Sequence, residues 1–285
     1  MIVVTAASGR LGQRVVAELL KCVETKQIGI SARDPEKMKA FAELGIRVRR
    51  GDYDDIDTMS SSLDGADTVL FVSSHGTNDQ RLRQHKTVVD AADRCNVGRL
   101  VYTSFMEPVP ENPFPFADVH RITEHYIRHS GLDFTFLRDN FYADNVLEEL
   151  PAIQAAGALR WPSDEGRCAY VARDDVAAAA AAVLTGEGHE AKTYTLTGPE
   201  ALTNAEVAAV LSDVLGRDIP LQVIGRDAYK REIMETGAPD WAADGALASF
   251  DSMAQGFCEE IFPDCENLIG RRSLTMRDVL EKYVA

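Results

Sequence analysis

Short runs of apolar, mostly β-branched residues alternate with amphipathic segments over the first half of the chain. Such a run indicates a buried strand, whereas apolar residues three or four positions apart indicate one face of a helix. Strands are predicted at residues 2–5, 28–30, 46–48, 68–72, 100–103 and 134–137, and helices at residues 10–20, 35–44, 56–63, 79–95 and 117–129. Near-continuous apolar strands separated by helices are typical of parallel βαβ units. We therefore predict an α/β fold with a doubly wound (Rossmann) parallel sheet.

This alternation weakens after residue 140, where helical patterns dominate. They cover residues 143–156, 173–185, 204–215 and 226–237, with strand-like pieces at 193–196 and 221–224. We predict a Rossmann domain over residues 1–140 and a smaller, mainly helical C-terminal lobe over residues 141–285, intertwined with the first. Residues 105–116 contain four prolines, which exclude a helix there and leave two alternatives, a surface connection or a substrate-covering lid.

Composition narrows the possible partners and the cell compartment. The 285 residues carry a net charge of −15, which disfavours binding to nucleic acid or to an anionic membrane. The five cysteines are scattered without a CxxC pair, which argues against a disulfide framework and favours a reducing compartment. The start of the chain lacks the pattern of a signal peptide, and the longest apolar run is too short for a membrane span. We expect a soluble, cytoplasmic monomer or homodimer. No metal is expected, because His125 and His129 lack a third ligand.

The first predicted strand runs directly into the sequence TAASGRLG at residues 5–12, and a helix follows at once. Gly9 and Gly12 let the backbone approach a pyrophosphate and let the helix pack closely on the strand, while the helix N-terminus supplies N–H donors. A simple strand–helix turn can contain the same glycines, but the position within the first βαβ unit favours a dinucleotide. The predicted contacts are Thr5, Ser8, Gly9, Arg10, Leu11 and Gly12.

The end of the second strand predicts which dinucleotide is bound. An NAD-selective site places Asp or Glu there to bind the ribose 2′-hydroxyl. This chain has Arg33 instead, with Lys37 one helical turn further on. A carboxylate repels a 2′-phosphate, whereas a guanidinium pairs with it. We therefore predict NADP(H), the alternative being that Arg33 is only a solvated side chain.

The ends of the later strands supply further candidates. Asp52 can accept a hydrogen bond from the adenine amino group, with Tyr53 beside it, while Asp54 or Asp55 can instead cap the next helix. Three residues follow the fourth and fifth strands at the same carboxyl edge, where open α/β sheets bind ligands. These suit the nicotinamide half of the cofactor: Ser73, Ser74 and Thr103.

Taken together, several segments resemble the NmrA-like group of atypical short-chain dehydrogenases/reductases, close to the type 2 NAD(P)H:quinone oxidoreductases and triphenylmethane reductase. The resemblance covers nearly the whole chain and rests on residues 5–12, 31–37, 51–53, 101–104, 120–124, 136–138 with Tyr142, and 173–177. Two positions depart from the family pattern. The family glycine before the phosphate turn is Ala6, which is tolerable only with a negative φ. The family asparagine after the Leu-Arg pair is Asp139, which alters contacts near the nicotinamide.

The chain also lacks the Tyr-x-x-x-Lys proton relay of ordinary short-chain dehydrogenases. Hydride transfer to a ketone produces an alkoxide, about as basic as hydroxide (water pKa about 15.7). Transfer to a quinone produces a phenolate-like anion, whose conjugate acid has a pKa of about 10. The difference between the two pKa values corresponds to a free energy on the order of 8 kcal/mol. A site that reduces a quinone therefore needs that much less charge stabilisation from a dedicated acid than a site that reduces a ketone. A site without the relay is therefore better matched to quinones, cationic dyes or other electron-poor acceptors.

The resemblance implies which residues act on the acceptor. It places His120 near the nicotinamide, where it can bind the acceptor oxygen or donate a proton, the alternative being a surface histidine on an amphipathic helix. His120 and Tyr142 are therefore the predicted catalytic residues. Tyr142, Phe105 and Phe116 are expected to form an aromatic acceptor pocket.

Two functions remain open at this point. The first is an NADPH-dependent oxidoreductase that transfers hydride to a quinone-like or other electron-poor small molecule. The second is a catalytically weak NADP(H)-sensing regulatory protein that binds a protein partner. NmrA-like regulators act in that way, and loss of the catalytic pair permits it.

Overall fold

The computed structural model describes residues 1–284 and contains the predicted doubly wound sheet. Its strands are β1 (Ile2–Val4), β2 (Ile28–Ala32), β3 (Arg47–Arg50), β4 (Thr68–Phe71), β5 (Arg99–Phe105), β6 (Asp133–Asp139), β7 (Leu159–Trp161), β8 (Arg167–Cys168), β9 (Lys192–Leu196), β10 (Leu202–Thr203) and β11 (Leu221–Val223). Seven of them form one parallel sheet in the order β3-β2-β1-β4-β5-β6-β9. Two small pairs stand apart, β10 with β8 and β11 with β7. The predicted fold class is confirmed.

Of the twelve helices described over residues 1–284, the first nine fall close to their predicted positions, whereas the last three, beyond residue 239, were not predicted. The helices are α1 (Arg10–Leu19), α2 (Lys39–Glu43), α3 (Ile56–Leu63), α4 (Asn78–Arg94), α5 (Pro115–Arg128), α6 (Asp144–Ala156), α7 (Arg173–Thr185), α8 (Asn204–Leu215), α9 (Arg226–Glu235), α10 (Asp240–Ala254), α11 (Asp264–Ile269) and α12 (Met276–Val284). The proline-rich segment is shorter than predicted, because Pro115 begins α5. A proline fits the first turn of a helix, where its missing N–H is not needed. Within residues 1–284, no helix is long and apolar enough to cross a membrane.

The chain divides into two compact units, and each takes more than one segment. The first comprises Met1–Phe105, Val119–Arg138 and Val176–Tyr194. The second comprises Met106–Asp118, Asp139–Asp175 and the chain from Thr195 onward. The domain boundary at residue 140 stays a prediction.

Each unit has its own apolar core. In the first unit, Val3, Phe71 and Tyr102 of the sheet pack with Met59 of α3 and Val88 of α4. The core of the second unit is built from α6, α8, α10 and α12 around buried aromatic side chains: Trp161, Tyr170, Tyr229 and Phe250. In the first unit, this packing fixes the strands whose carboxyl ends carry the predicted site.

The central strand β1 sets that edge. It pairs in parallel with β2 on one side and with β4 on the other, so Val4 lies opposite both Ile30 and Leu70. The pairs β2–β3 and β4–β5 are also parallel. The segments that follow β1 to β5 therefore begin at the same edge of the sheet.

The turn between β1 and α1 contains a strained residue. Ala6 has a φ of +46°, so the negative φ expected from the sequence is wrong. The Gly9 N–H donates to the Ala6 carbonyl oxygen at 2.9 Å and closes the turn. A Cβ on Gly12 would lie 2.6 Å from Ala7 Cα and 2.9 Å from the Ala6 carbonyl oxygen, so only glycine fits there. Tight packing of α1 on this turn holds Ala6 in a conformation that costs an alanine about 1–2 kcal/mol.

We expect Ala6→Gly to raise the free energy of unfolding by about 0.5–1 kcal/mol, because glycine adopts a positive φ without strain but gains freedom in the unfolded chain. Urea unfolding of the two proteins measures the difference. Ala7→Gly is the matched control, since Ala7 is buried and does not have a positive φ. That control should be less stable than the native chain. Equal losses in both variants would show that Ala6 is not strained.

Candidate functional site

A cleft of about 360 Å³ lies at the carboxyl edge of the sheet, within the first unit. This volume falls in the range of small-molecule sites. Ten predicted cofactor residues line it: Ser8, Gly9, Arg10, Leu11, Gly12, Arg33, Asp52, Tyr53, Ser73 and Ser74. Six residues that were not predicted as cofactor contacts also line it: Ala6, Gly51, Val72, His75, Gln80 and Gln84. Thr5, Lys37, Thr103 and His120 are not among the lining residues. The roles of all these residues stay predictions, but most of them converge on one cleft.

One end of the cleft is the N-terminus of α1. Gly9 occupies the N-cap position and has no side chain with which to cap the helix, and the first turn carries no acidic residue. The first N–H groups of a helix have no partner within it and carry a partial positive charge. Gln13 Nε2 donates to the Ser8 carbonyl oxygen at 2.9 Å and steadies the turn. This end of the cleft therefore fits a pyrophosphate.

The second and third strands contribute opposite charges. Arg33 follows β2 with an exposed side chain, and Asp52 follows β3. The Asp52 carboxylate accepts a hydrogen bond from the Asp54 N–H at 3.2 Å. Lys37 is exposed in a short 3₁₀ turn, Pro35–Met38. The cleft thus presents a guanidinium where a 2′-phosphate is expected and a carboxylate where an amino group is expected.

Asp54 and Asp55 have separate structural roles. The Asp55 side chain caps α3 by accepting from the N–H groups of Asp57 at 3.0 Å and Thr58 at 3.2 Å. Asp54 accepts from Gln84 Nε2 at 2.9 Å. Of the alternatives left open by the sequence, the helix cap belongs to Asp55.

The segment after β4, residues 72–75, forms one wall of the cleft and is held by side chains from other elements. Val72 N–H donates to Thr5 Oγ1 at 3.1 Å, and the Tyr53 hydroxyl donates to the Val72 carbonyl oxygen at 2.7 Å. The Thr5 and Tyr53 hydroxyl groups are 2.5 Å apart. Burial raises the pKa of Tyr53, so its hydroxyl keeps its proton. Thr5 therefore supports the wall from within the fold.

The next two N–H groups of this wall are also paired with side chains. Ser73 N–H donates to Thr103 Oγ1 at 2.9 Å, and Ser74 N–H donates to His85 Nε2 at 3.0 Å. An unpaired buried N–H costs about 1–3 kcal/mol, so each contact contributes to the wall's conformation. Ser74 Oγ is buried without a hydrogen-bond partner among the described residues. Sequence reasoning missed His85, because a histidine on the buried face of α4 looks like any core position.

His120 lies inside the first unit and is only 5% exposed, which excludes the surface alternative. Its Nε2 is 3.0 Å from Arg81 Nη2, and its Nδ1 is 2.8 Å from the Tyr102 hydroxyl. Since a guanidinium only donates hydrogen bonds, Nε2 accepts and the proton of the neutral ring sits on Nδ1. Burial, together with the charge of Arg81, lowers the pKa of His120 well below its ordinary value. The imidazole is therefore neutral, and its role as a proton donor stays a prediction.

Tyr142 belongs to the second unit, where its hydroxyl donates to Asp139 Oδ2 at 2.7 Å. The Arg173 guanidinium lies 4.8 Å from the centre of the Tyr142 ring. Asp139 is 3% exposed, and its Oδ1 has no hydrogen-bond partner within residues 1–284. Burial raises the pKa of Asp139 to about 7, against the opposing effect of the Tyr142 hydrogen bond. This carboxyl group therefore exchanges a proton near neutral pH.

The three aromatic residues predicted for the acceptor pocket fall in different units. Phe105 belongs to the first, with its ring centroid 6.1 Å from that of His120. Phe116 belongs to the second, as does Tyr142, and it makes edge contacts with Phe114 at 5.2 Å and Trp241 at 6.0 Å. The acceptor pocket stays a prediction.

Asp139→Asn should stabilise the protein at alkaline pH. The carboxyl pKa is raised from 3.8 to about 7 in the folded state, so the folded protein binds more protons in this interval and its stability falls as the pH rises through it. The Asp139→Asn variant has no carboxyl group at this position, so its stability does not fall for this reason as the pH rises. We expect it to exceed the native chain by about 1–3 kcal/mol in unfolding free energy at pH 8, and by little at pH 4.

Urea unfolding at the two pH values measures this difference. The control is Asp144→Asn, because the Asp144 carboxylate accepts from the Arg173 N–H at 2.8 Å and lies 4.0 Å from its guanidinium. Loss of those contacts should destabilise the protein at pH 8. An unchanged pH slope in Asp139→Asn would contradict the assignment.

Comparisons with known proteins agree with this geometry. The sequence profile of a family described as NAD(P)H-binding matches residues 6–187. Quinone oxidoreductase 2 of Escherichia coli is 34% identical over 278 residues, which cover 98% of this chain and 96% of that protein.

Two solved structures are similar over almost their whole length. The first is the NADPH-dependent quinone oxidoreductase of Escherichia coli complexed with NADPH, with a TM-score of 0.93, 33% identity and 100% of both chains covered. The second is the Citrobacter sp. triphenylmethane reductase complexed with NADP(H), with a TM-score of 0.93, 34% identity and 99% of each chain covered. The family predicted from the sequence motifs is therefore confirmed, and this chain belongs to the NAD(P)H-binding, NmrA-like family.

Proposed function

We propose that this protein is an NADPH-dependent oxidoreductase that transfers hydride to a quinone-like or other electron-poor small molecule. The observation that carries the proposal is the cleft that joins the open N-terminus of α1 to Arg33 at one sheet edge. The similar proteins include a quinone oxidoreductase and a triphenylmethane reductase, whose names point to two different electron-poor acceptors. Reduction of a small molecule is thus favoured over a purely regulatory role.

Different residues of the cleft bind different parts of the cofactor. The first turn of α1 binds the pyrophosphate, Arg33 and Lys37 pair with the 2′-phosphate, and Asp52 accepts from the adenine amino group. Ser73 and Ser74 take the nicotinamide half, where Ser74 Oγ is an unused polar group. When bound, the cofactor supplies the hydride, and the wall at residues 72–75 orients it.

The proton that follows the hydride does not require a strong dedicated acid, since a reduced quinone is only as basic as a phenolate. Tyr142 and Asp139 nevertheless form a pair able to deliver one. When the Asp139 carboxyl is protonated, its O–H donates to the Tyr142 oxygen, and the tyrosine O–H is released to donate to an acceptor oxygen. A pKa of about 7 keeps a fraction of Asp139 protonated at neutral pH. His120 contributes only if its Nδ1–H leaves Tyr102.

The proposal includes the cellular location and the oligomeric state of the protein. All five cysteines are free thiols, which supports a cytoplasmic location. A monomer or a homodimer is expected, with a small molecule as the partner.

The proposed activity predicts saturable oxidation of NADPH, followed at 340 nm, with small quinones or cationic dyes but not with simple ketones. The distinction follows from the missing proton relay, since an alkoxide needs an acid and a phenolate does not. The purified protein and a no-enzyme blank are scanned across all three acceptor classes. Binding of NADPH without turnover on any acceptor would contradict the enzyme and favour the NADP(H)-sensing alternative.

Arg33→Ala should weaken NADPH binding about 10- to 100-fold and leave NADH binding nearly unchanged, because a charge-assisted contact to the 2′-phosphate is worth about 1.5–3 kcal/mol. Fluorescence titration with each dinucleotide measures both affinities. Lys39→Ala is the control, since Lys39 is exposed nearby and does not line the cleft. If Arg33→Ala weakens NADH as much as NADPH, then Arg33 does not bind the 2′-phosphate.

A further inference from the structure

A network of buried polar side chains lies behind the wall at residues 72–75, and none of its members lines the cleft. It consists of His85 and Arg81 on α4, Tyr102 on β5, and His120 and Thr123 on α5. All five are buried, with exposed fractions of 6% or less. The network contacts the wall of the cleft through the hydrogen bond from Ser74 N–H to His85 Nε2.

The bond to Ser74 dictates the state of His85. A backbone N–H can only donate, so His85 Nε2 must carry a lone pair. The proton of the neutral ring is then on Nδ1, which lies 2.8 Å from Thr123 Oγ1. The Thr123 hydroxyl in turn donates to the Val119 carbonyl oxygen at 2.8 Å. The donor and the acceptor of each of these three hydrogen bonds are therefore determined.

The rest of the network stabilises the same neutral form. Arg81 is donor-only toward His120 Nε2, and His120 Nδ1–H donates to the Tyr102 hydroxyl. The Tyr102 oxygen also lies 3.4 Å from His85 Nδ1. Burial, together with the charge of Arg81, lowers the pKa of His85 well below its ordinary value. His85 is thus held as a hydrogen-bond acceptor facing the wall.

The ends of the strands explain why the wall needs such an acceptor. β4 ends at Phe71, and its last pairing with β5 joins Phe71 to Tyr102. The N–H groups of Val72, Ser73 and Ser74 continue past this ladder and are taken by Thr5, Thr103 and His85 in turn. The third of these contacts is the furthest along the chain from the last β4–β5 pairing, so it holds the wall beyond the sheet.

We infer that His85 is a positioning residue of the cofactor site, which fixes the wall at residues 72–75 by accepting the Ser74 N–H on its neutral Nε2. The inference rests on the proposed function only in that the ligand of this wall is the nicotinamide cofactor. The ring itself lies behind the cleft and is not among the residues that line it.

Two substitutions separate the hydrogen bond from the packing of the ring. In His85→Gln, the side-chain amide oxygen reaches the position of Nε2 and can still accept from Ser74. In His85→Asn, the amide reaches only the position of Nδ1, so the contact with Thr123 remains and the contact with Ser74 is lost. Both variants lose the edge contact between the His85 ring and Phe71, whose centroids lie 5.1 Å apart. A difference between the variants therefore reports the bond to Ser74.

The first readout is amide hydrogen exchange at Ser74, which does not depend on any ligand. We expect exchange at Ser74 to become at least about 10-fold faster in His85→Asn and to change little in His85→Gln. The Ser73 amide, held by Thr103, is the internal control and should stay protected in both. Thr123→Val keeps His85 but removes the acceptor of its Nδ1–H, so a smaller acceleration at Ser74 is expected. Unchanged protection of Ser74 in His85→Asn would overturn the inference.

The second readout is the dissociation constant of NADPH, measured with the unfolding free energy of each variant. We expect about 10-fold weaker binding in His85→Asn and recovery to within about 3-fold of the native value in His85→Gln. Equal weakening in both variants, in proportion to lost stability, would mean that His85 acts only through packing. If the native chain does not bind NADPH, the proposed function fails, while the exchange experiment still decides the role of His85.

Discussion

Parallel strands that end at one edge leave backbone N–H groups without a strand partner, and the site of this protein depends on how those groups are satisfied. Beyond β1, the N–H groups at the start of α1 receive no side-chain cap, because the N-cap is Gly9. Beyond β4, the three consecutive N–H groups are all taken by side chains. The first set is left open to an anion, and the second set is closed to form a wall. The same constraint thus produces both the binding surface and its support.

The absence of the ordinary proton relay has a structural counterpart on α5. His120 and Glu124 are four residues apart on this helix, and both are turned into the first unit. Glu124 accepts from Arg138 Nε at 2.9 Å, Arg138 Nη2 at 2.7 Å and Ser104 Oγ at 2.6 Å. Both side chains are committed to hydrogen bonds that tie α5 to the sheet. In this arrangement neither side chain offers an acid unless it gives up one of these hydrogen bonds.

Much of the fold was predictable, because periodicity reports local structure directly. α3, α7 and α8 occupy their predicted bounds, and the six predicted strands of the first half lie within two residues of the observed ones. β8 and β10 were missed because a strand of two residues has no readable period. The phosphate turn was found from its glycines, but the φ of Ala6 was not, since it follows from the packing of α1 on the turn.

The missed parts of the site share one physical feature, which is contact between distant residues. Thr5 reaches Val72 across 67 positions, and Thr103 reaches Ser73 across 30. Both were predicted as ligand contacts because they end strands at the ligand edge. That role stays a prediction, and the fold also uses both residues to hold another segment. His85 gives no motif at all. A sequence pattern locates the edge of the sheet, but the pairing of side chains with unpartnered backbone groups is decided only in three dimensions.

Ala6 and Asp139, the two departures from the pattern that the resemblance implies, both lower the stability of the fold. They differ in the chemical group that each side chain adds. Ala6 stores backbone strain, and its side chain adds no chemical group to the cleft. Asp139, where the sequence resemblance implies asparagine, is a buried carboxyl group whose pKa is raised to about 7. The chain therefore carries a cost of desolvation at neutral pH that asparagine would avoid. An amide in contact with Tyr142 cannot exchange a proton near neutral pH, whereas this carboxyl group can. The chain therefore carries a titratable carboxyl group at the Asp139–Tyr142 pair and a strained backbone at Ala6, which lines the cleft.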